Sequence, residues 1–142
     1  MLSIRLTLKK ILQRLKKMSD FPIENGKDGV WYYVKWNSGR LELWCQDSFA
    51  SGTWSGGGAL YYGASRTIKL PTMVVDVENV TFSPKSANGA VVIPGTQKYI
   101  DSSNSVYVYY VRSYGGNNNV TITQSVKVDA YWKTPNLGGG SS

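Results

Sequence analysis

The residues of this chain best suited to chemistry are those that recognise hydroxyl groups. Arg112, Tyr114, Asn117, Asn118 and Asn119 fall in one short stretch interrupted by Gly115 and Gly116. An aromatic ring there can lie on a sugar face while guanidinium and amide groups hydrogen-bond the hydroxyls around it. A second stretch, residues 52–62, offers Trp54, Tyr61 and Tyr62. The competing reading of both is structural: a polar hairpin tip, with tyrosines at a sheet or subunit interface. Catalytic sets are thinner. The chain has no His and one Cys, Cys45, which excludes Ser-His-Asp and Cys-His pairs, His-bearing zinc sites and an internal disulfide. Asp76 and Glu78 share a strand face and have the chemistry of a glycosidase pair, but a solvated face explains them more simply. Cys45 reads as a small buried hydrophobe. No acidic calcium loop is present, so no metal, no cofactor and no enzymatic activity are expected.

Positioning these side chains falls to short strands. With 142 residues, 42% hydrophobic, 13% aromatic and 18% charged, the chain suits one globular domain with a short appendage. In residues 120–132, Val120, Ile122, Val126, Val128, Ala130 and Trp132 alternate with Thr121, Thr123, Ser125, Lys127 and Asp129. This is a strand with one dry and one wet face, broken only by Gln124. Residues 106–112 form a β-branched and aromatic run, expected to pair with 120–132 as a hairpin through the Gly/Asn loop. Further strands are expected at 30–36, 40–46, 72–78, 80–83 and 90–94, with Pro71, Pro84 and Pro94 at their margins. Residues 51–58, rich in Gly, read as a loop. The fold class is all-β, an antiparallel sandwich or barrel over residues 19–133, and the Gly/Ser stretch of 134–142 is a flexible tail.

The charge is uneven. The chain carries a net +7, yet Arg5, Lys9, Lys10, Arg14, Lys16 and Lys17 lie in residues 1–18 with no acid among them. Residues 19–142 hold ten basic and nine acidic residues, a balance of +1, which removes the main electrostatic support for nucleic-acid binding by the folded domain. Residues 1–18 also carry a heptad stripe of Met1, Ile4, Leu8, Ile11, Leu15 and Met18, predicting an amphipathic helix. An oligomerising stem built on Ile4, Leu8, Ile11 and Leu15 is the leading reading. A helix docked on its own domain, a membrane-surface helix and a targeting segment are the others. No apolar run is long enough for a secretory signal core or a membrane span, so synthesis in a reducing cytoplasm, without export by the usual route, is expected.

Residues 30–45, VWYYVKWNSGRLELWC, read as a hairpin around Asn37-Ser38-Gly39, with Gly39 in a left-handed conformation. This string resembles a W-x-Y-x-K-W-x-S-G-x-x-E-x-W signature of tail-fibre and tail-tip proteins from phages and prophages of Gram-positive bacteria. Trp31, Tyr33, Lys35, Trp36, Ser38, Gly39, Glu42 and Trp44 match it in register. Asp20, Ile23, Glu24 and Gly26 are similar to the lead-in of such proteins, and residues 126–133, VKVDAYWK, to their closing strand. Val34 stands in place of a frequent Arg, Cys45 in place of a frequent Gly, and the Gly-Arg that usually precedes the closing Trp is missing. The resemblance implies a C-terminal knob of the H-type-lectin-like sandwich kind, trimeric on a stem, located in the virion and contacting a host-surface glycan or other receptor. A heptad stem before a β domain agrees with it. The rivals are a purely structural tail component, and a small aromatic-rich barrel binding nucleic acid through the basic helix.

Overall fold

The computed structural model describes residues 10, 20–87, 90–113 and 117–134. Apart from Lys10, the expected helix of residues 1–18, with Ile4, Leu8, Ile11 and Leu15, lies outside the described residues. So do Tyr114 and residues 135–142. The described strands are β1 (Pro22–Asp28), β2 (Trp31–Trp36), β3 (Arg40–Ala50), β4 (Ser55–Gly57), β5 (Leu60–Lys69), β6 (Asp76–Ser86), β7 (Val92–Ile100), β8 (Ser105–Arg112) and β9 (Thr121–Tyr131). They form two antiparallel sheets, ordered β1-β2-β3-β9-β6 and β4-β5-β8-β7. The fold is all-β, and its two sheets are consistent with a sandwich.

One core serves both sheets. Leu41, Leu43 and Cys45 of β3, Phe82 of β6, and Ile122, Val126, Val128 and Ala130 of β9 come from the first sheet. Ala64 and Ile68 of β5 and Val106, Val108 and Tyr110 of β8 come from the second. The even-numbered residues of β9 are buried, as the alternation demands. Gln124, the one polar residue on that face, is fully buried and accepts a hydrogen bond from the Tyr110 hydroxyl. Its Nε2 donates to Asp47 Oδ2 at 2.9 Å, and Arg66 donates to the same carboxylate through Nε at 2.9 Å and a terminal nitrogen at 2.6 Å. Tyr110 and Arg66 belong to one sheet, Gln124 and Asp47 to the other, so this connected polar chain joins the two. Each buried polar group in it has a partner, the condition under which such a network is tolerated.

Four expectations need correction. Residues 106–112 and 120–132 do not pair: β8 lies between β5 and β7, whereas β9 lies between β3 and β6. The strand that follows the Gly/Asn stretch joins the other sheet, because both strands have a largely apolar face that must meet the same core. Residues 72–75 are not strand: Val74 N–H donates to Pro71 O at 3.2 Å in a turn, and β6 then runs continuously from Asp76 through the expected 80–83 segment. Pro84 and Pro94 lie inside β6 and β7 rather than at their margins, each beside a register shift and each on an edge strand. There the missing N–H costs least. β1 and β5 have no counterpart among the expected strands. β1 is exposed along its whole length, so it shows no alternation, and the alternation of β5 is displaced by a bulge at Gly63, whose φ is +128°. Part of the expected 51–58 loop is β4, paired with the start of β5.

Candidate ligand-binding site

The two stretches singled out for sugar recognition meet at one end of the domain. Ser51 N–H donates to Val120 O at 2.8 Å, and Val120 N–H returns a bond to Ser51 Oγ at 2.9 Å. Gly52, held at φ +75°, donates its N–H to Asn119 Oδ1 at 2.8 Å. Trp54 N–H donates to Asn117 O at 3.1 Å, and the Arg112 guanidinium donates to Asn118 O at 3.0 Å. Every member of the 117–120 segment is therefore pinned through backbone or side chain to β8 or to residues 51–54.

This geometry divides the candidate residues. Asn117, Asn118 and Asn119 are exposed. The Asn117 and Asn118 side chains make no hydrogen bond among the described residues, so their amides face solvent with both donor and acceptor unspent. Tyr61 is half-buried, packs against the core, and is the register partner of Arg112. Arg112 and Trp54 are not contact residues: only 6% and 1% of their surfaces are exposed. A buried guanidinium is held by what it bonds, and Arg112 bonds the tip backbone from below. Trp54 closes the core under the same segment. Sequence spacing grouped Arg112 with the asparagines and left Trp54 and Tyr61 in a separate stretch, and it could not say which side chains faced inward. Ser51 and Gly52, which the sequence reading left in a generic loop, are the clamps. Their only signal was the Ser-Gly pair itself.

The signature residues assemble a different structure, a latch at the start of the hairpin. Trp31 is buried and donates its indole N–H to Lys69 O at 2.8 Å. Ser38 N–H donates to Asp20 Oδ1 at 3.1 Å, and Asp20 Oδ2 lies 3.6 Å from Arg40 Nε. Gly39, at φ +104°, accepts from Trp132 N–H at 2.9 Å, while the Trp132 indole donates to Trp36 O at 2.8 Å. Lys35 sits 2.9 Å from Glu24 and over the Trp132 ring. Its bond to Glu24 holds that carboxyl below the usual range. Burial, helped by the same carboxylate, pushes the Tyr33 hydroxyl up. Lead-in and hairpin thus converge on one spot with the closing strand, 96 residues along the chain at the Trp36–Trp132 bond. Glu42 instead faces outward and pairs with Arg40 at 3.3 Å. Trp44 is exposed and stacks on Tyr32.

Both carboxylates of the acidic pair are engaged by neighbouring groups. Asp76 Oδ1 caps its own neighbour's N–H, on Val77, at 2.8 Å. Glu78 sits at a β6 register shift and accepts from the Tyr131 hydroxyl at 3.0 Å, a bond that raises the Tyr131 pKa. Glu78, Glu42 and Asp129 line a shallow open hollow with Arg40 and Asn79. Among the described residues no group of three Cys, Asp or Glu side chains is placed to hold a metal ion. Cys45 is buried, and desolvation, with the nearby Asp47 charge, pushes its thiol up to about 12.

No protein-family model, curated protein or solved structure matches the chain. The reading of its function therefore rests on the residues and their geometry.

Proposed function

We propose that the protein is a non-enzymatic, tail-fibre-like structural component of a phage or prophage virion. In this reading it is a sandwich knob of the H-type-lectin-like kind that assembles as a trimer and binds a host-surface glycan. The observation that carries the reading is the pinned tip. Its backbone is bonded by Arg112, Trp54 and Ser51, while the Asn117 and Asn118 side chains make no hydrogen bond among the described residues. A tip ordered before the ligand arrives loses little entropy on binding, which is what lets a few amide-hydroxyl contacts give useful affinity.

Self-association has support in the four-stranded sheet. Tyr62, Val111 and Ile93 form one cross-strand row on its outward face, alongside Tyr107 and Tyr109. None of its strands carries an Asp or Glu. Its lysines, Lys69 and Lys98, sit toward the other end of the face, Lys98 over the Tyr107 ring. That leaves the apolar row to bury against copies of itself, and three linked tips multiply weak single-site contacts. The convergence of the signature, lead-in and closing strand at one latch supports the tail-fibre resemblance. Among the described residues no helix is long and apolar enough to cross a membrane.

The test is retention of the full chain on isolated Gram-positive cell walls and on a bacterial glycan array, with Asn117→Ala/Asn118→Ala beside it. The reading expects retention that the double substitution weakens by about tenfold, the loss of ~1.4 kcal/mol of hydrogen bonding. A chain that assembles but is retained by neither surface is a purely structural tail component.

A further inference from the structure

The tip leaves unexplained an aromatic row on the opposite kind of surface. The strand registers align Lys27 of β1, Tyr32 of β2, Trp44 of β3, Lys127 of β9 and Thr81 of β6 as successive partners across the whole five-stranded sheet. These side chains point away from the core: Leu43 and Cys45 flank Trp44 on the buried face, and Val126 and Val128 flank Lys127 there. Tyr32 and Trp44 stack at 6.1 Å between centroids and 19° between planes, yet remain 46% and 42% exposed. The Lys27 ammonium lies 5.0 Å from the Tyr32 ring centre.

Cross-strand packing accounts for two rings touching, but not for the groups arrayed beside them. One step along the strands, Gln46, Ser125 and Ser83 form a parallel row. Together with Trp44, Thr81 and Lys127 they line a shallow hollow of about 220 Å³. The side chains of Gln46, Ser83 and Ser125 make no hydrogen bond among the described residues. The Thr81 hydroxyl accepts from Asn79 at 3.5 Å. The surface thus combines a flat aromatic wall, the Gln46 amide, the hydroxyls of Ser83, Ser125 and Thr81, and the ammonium groups of Lys27 at the row's edge and Lys127 within it. That is the complement of a pyranose, which presents an apolar face and a rim of hydroxyls.

The row on the other side limits the ligand's charge. It runs through Glu42, Asp129 and Asn79, and Lys127 lies 4.0 Å from Asp129. A densely anionic chain laid over the aromatics would meet these carboxylates, whereas an uncharged one would not. With strands about 4.8 Å apart, the five-residue row spans roughly 19 Å, the footprint of several linked units.

We propose that this outward face is a second carbohydrate-binding site, taking a neutral linear polysaccharide laid across the strands with a ring on Trp44. The site adds to the tip and does not depend on it. The probes are arrayed neutral and acidic bacterial polysaccharides and oligo(dT), read with the full chain and with Trp44→Ala, Ser83→Ala/Ser125→Ala and Asn117→Ala/Asn118→Ala. The proposal expects a neutral polysaccharide whose retention falls by about tenfold in the first two variants. The Asn variant retains it, and raising salt has little effect. The serine pair keeps the test valid should Trp44→Ala disturb the hairpin, whose near-UV circular dichroism reports its packing. Loss in the Asn variant alone overturns this site and leaves the tip reading standing. Retention only of acidic polysaccharide or oligo(dT), falling steeply with salt, overturns the neutral class. Retention of nothing overturns both sites.

Discussion

Gln124→Leu is the most informative single perturbation, because the substitution suits the apolar face yet breaks the chain joining the sheets. It removes the acceptor of the Tyr110 hydroxyl and one donor to Asp47. Stranding a fully buried hydroxyl costs about 1–3 kcal/mol, and a hydrogen bond to a charged group is worth about 1.5–3 kcal/mol. Replacing a buried amide by a branched alkyl group returns on the order of 1–2 kcal/mol of that. The net expectation is a loss of ~2–4 kcal/mol, or roughly 6–12 °C in Tm for a chain of this length. Urea unfolding followed by tryptophan fluorescence measures it, at one fixed protein concentration because assembly shifts apparent stability. Adding Tyr110→Phe removes the stranded hydroxyl and restores about 1–2 kcal/mol, so the two substitutions are strongly non-additive. A cost below about 1 kcal/mol, or additivity of the pair, would refute the view that this network fastens one sheet to the other.

Two further outcomes follow from the same packing. The Cys45 pKa rises from 9.0 unfolded to about 12 folded, so its contribution to stability is complete below pH 9 and is lost as pH rises from 9 toward 12. Tyr110, also raised by burial, adds loss of the same sign. Alkaline titration should show stability declining above pH 9, less steeply in Cys45→Ala, and a thiol reagent at neutral pH should label Cys45 only on unfolding. Gly39→Ala places a Cβ 2.9 Å from Lys133 Cγ at a φ of +104°. It should cost roughly 1–2 kcal/mol and loosen the Trp132 latch, seen as a shift in indole fluorescence.

The parts of the fold written in local pattern could be read without the structure. The β9 alternation, the hairpin turn at Gly39 and the buried Cys45 each depend on neighbours a few residues away. Gln124 was visible as an irregularity, but its partners Tyr110 and Asp47 come from other strands, and nothing local indicates them. The same holds for the 113–120 connection. Glycine and asparagine mark a reversal, whereas which sheet receives the returning strand depends on competition for the core. Arg112 was grouped with the asparagines and Trp54 placed in a separate stretch, and both were assigned to the surface although they are buried, since period two fixes which residues share a face and not which face is dry. The Tyr32–Trp44 row was hidden for a related reason: register across five strands is set by tertiary pairing.

That the protein is an assembling tip is the claim on which the receptor reading leans most heavily, because weak glycan contacts need multiplying to hold a host surface. Light scattering after size exclusion tests it directly, on the full chain and on Val111→Lys, which puts a charge in the centre of the Tyr62–Val111–Ile93 row. A trimeric tip gives three times the 15.7 kDa chain mass for the unaltered protein and dissociates in the variant. A monomer from the unaltered chain would contradict it.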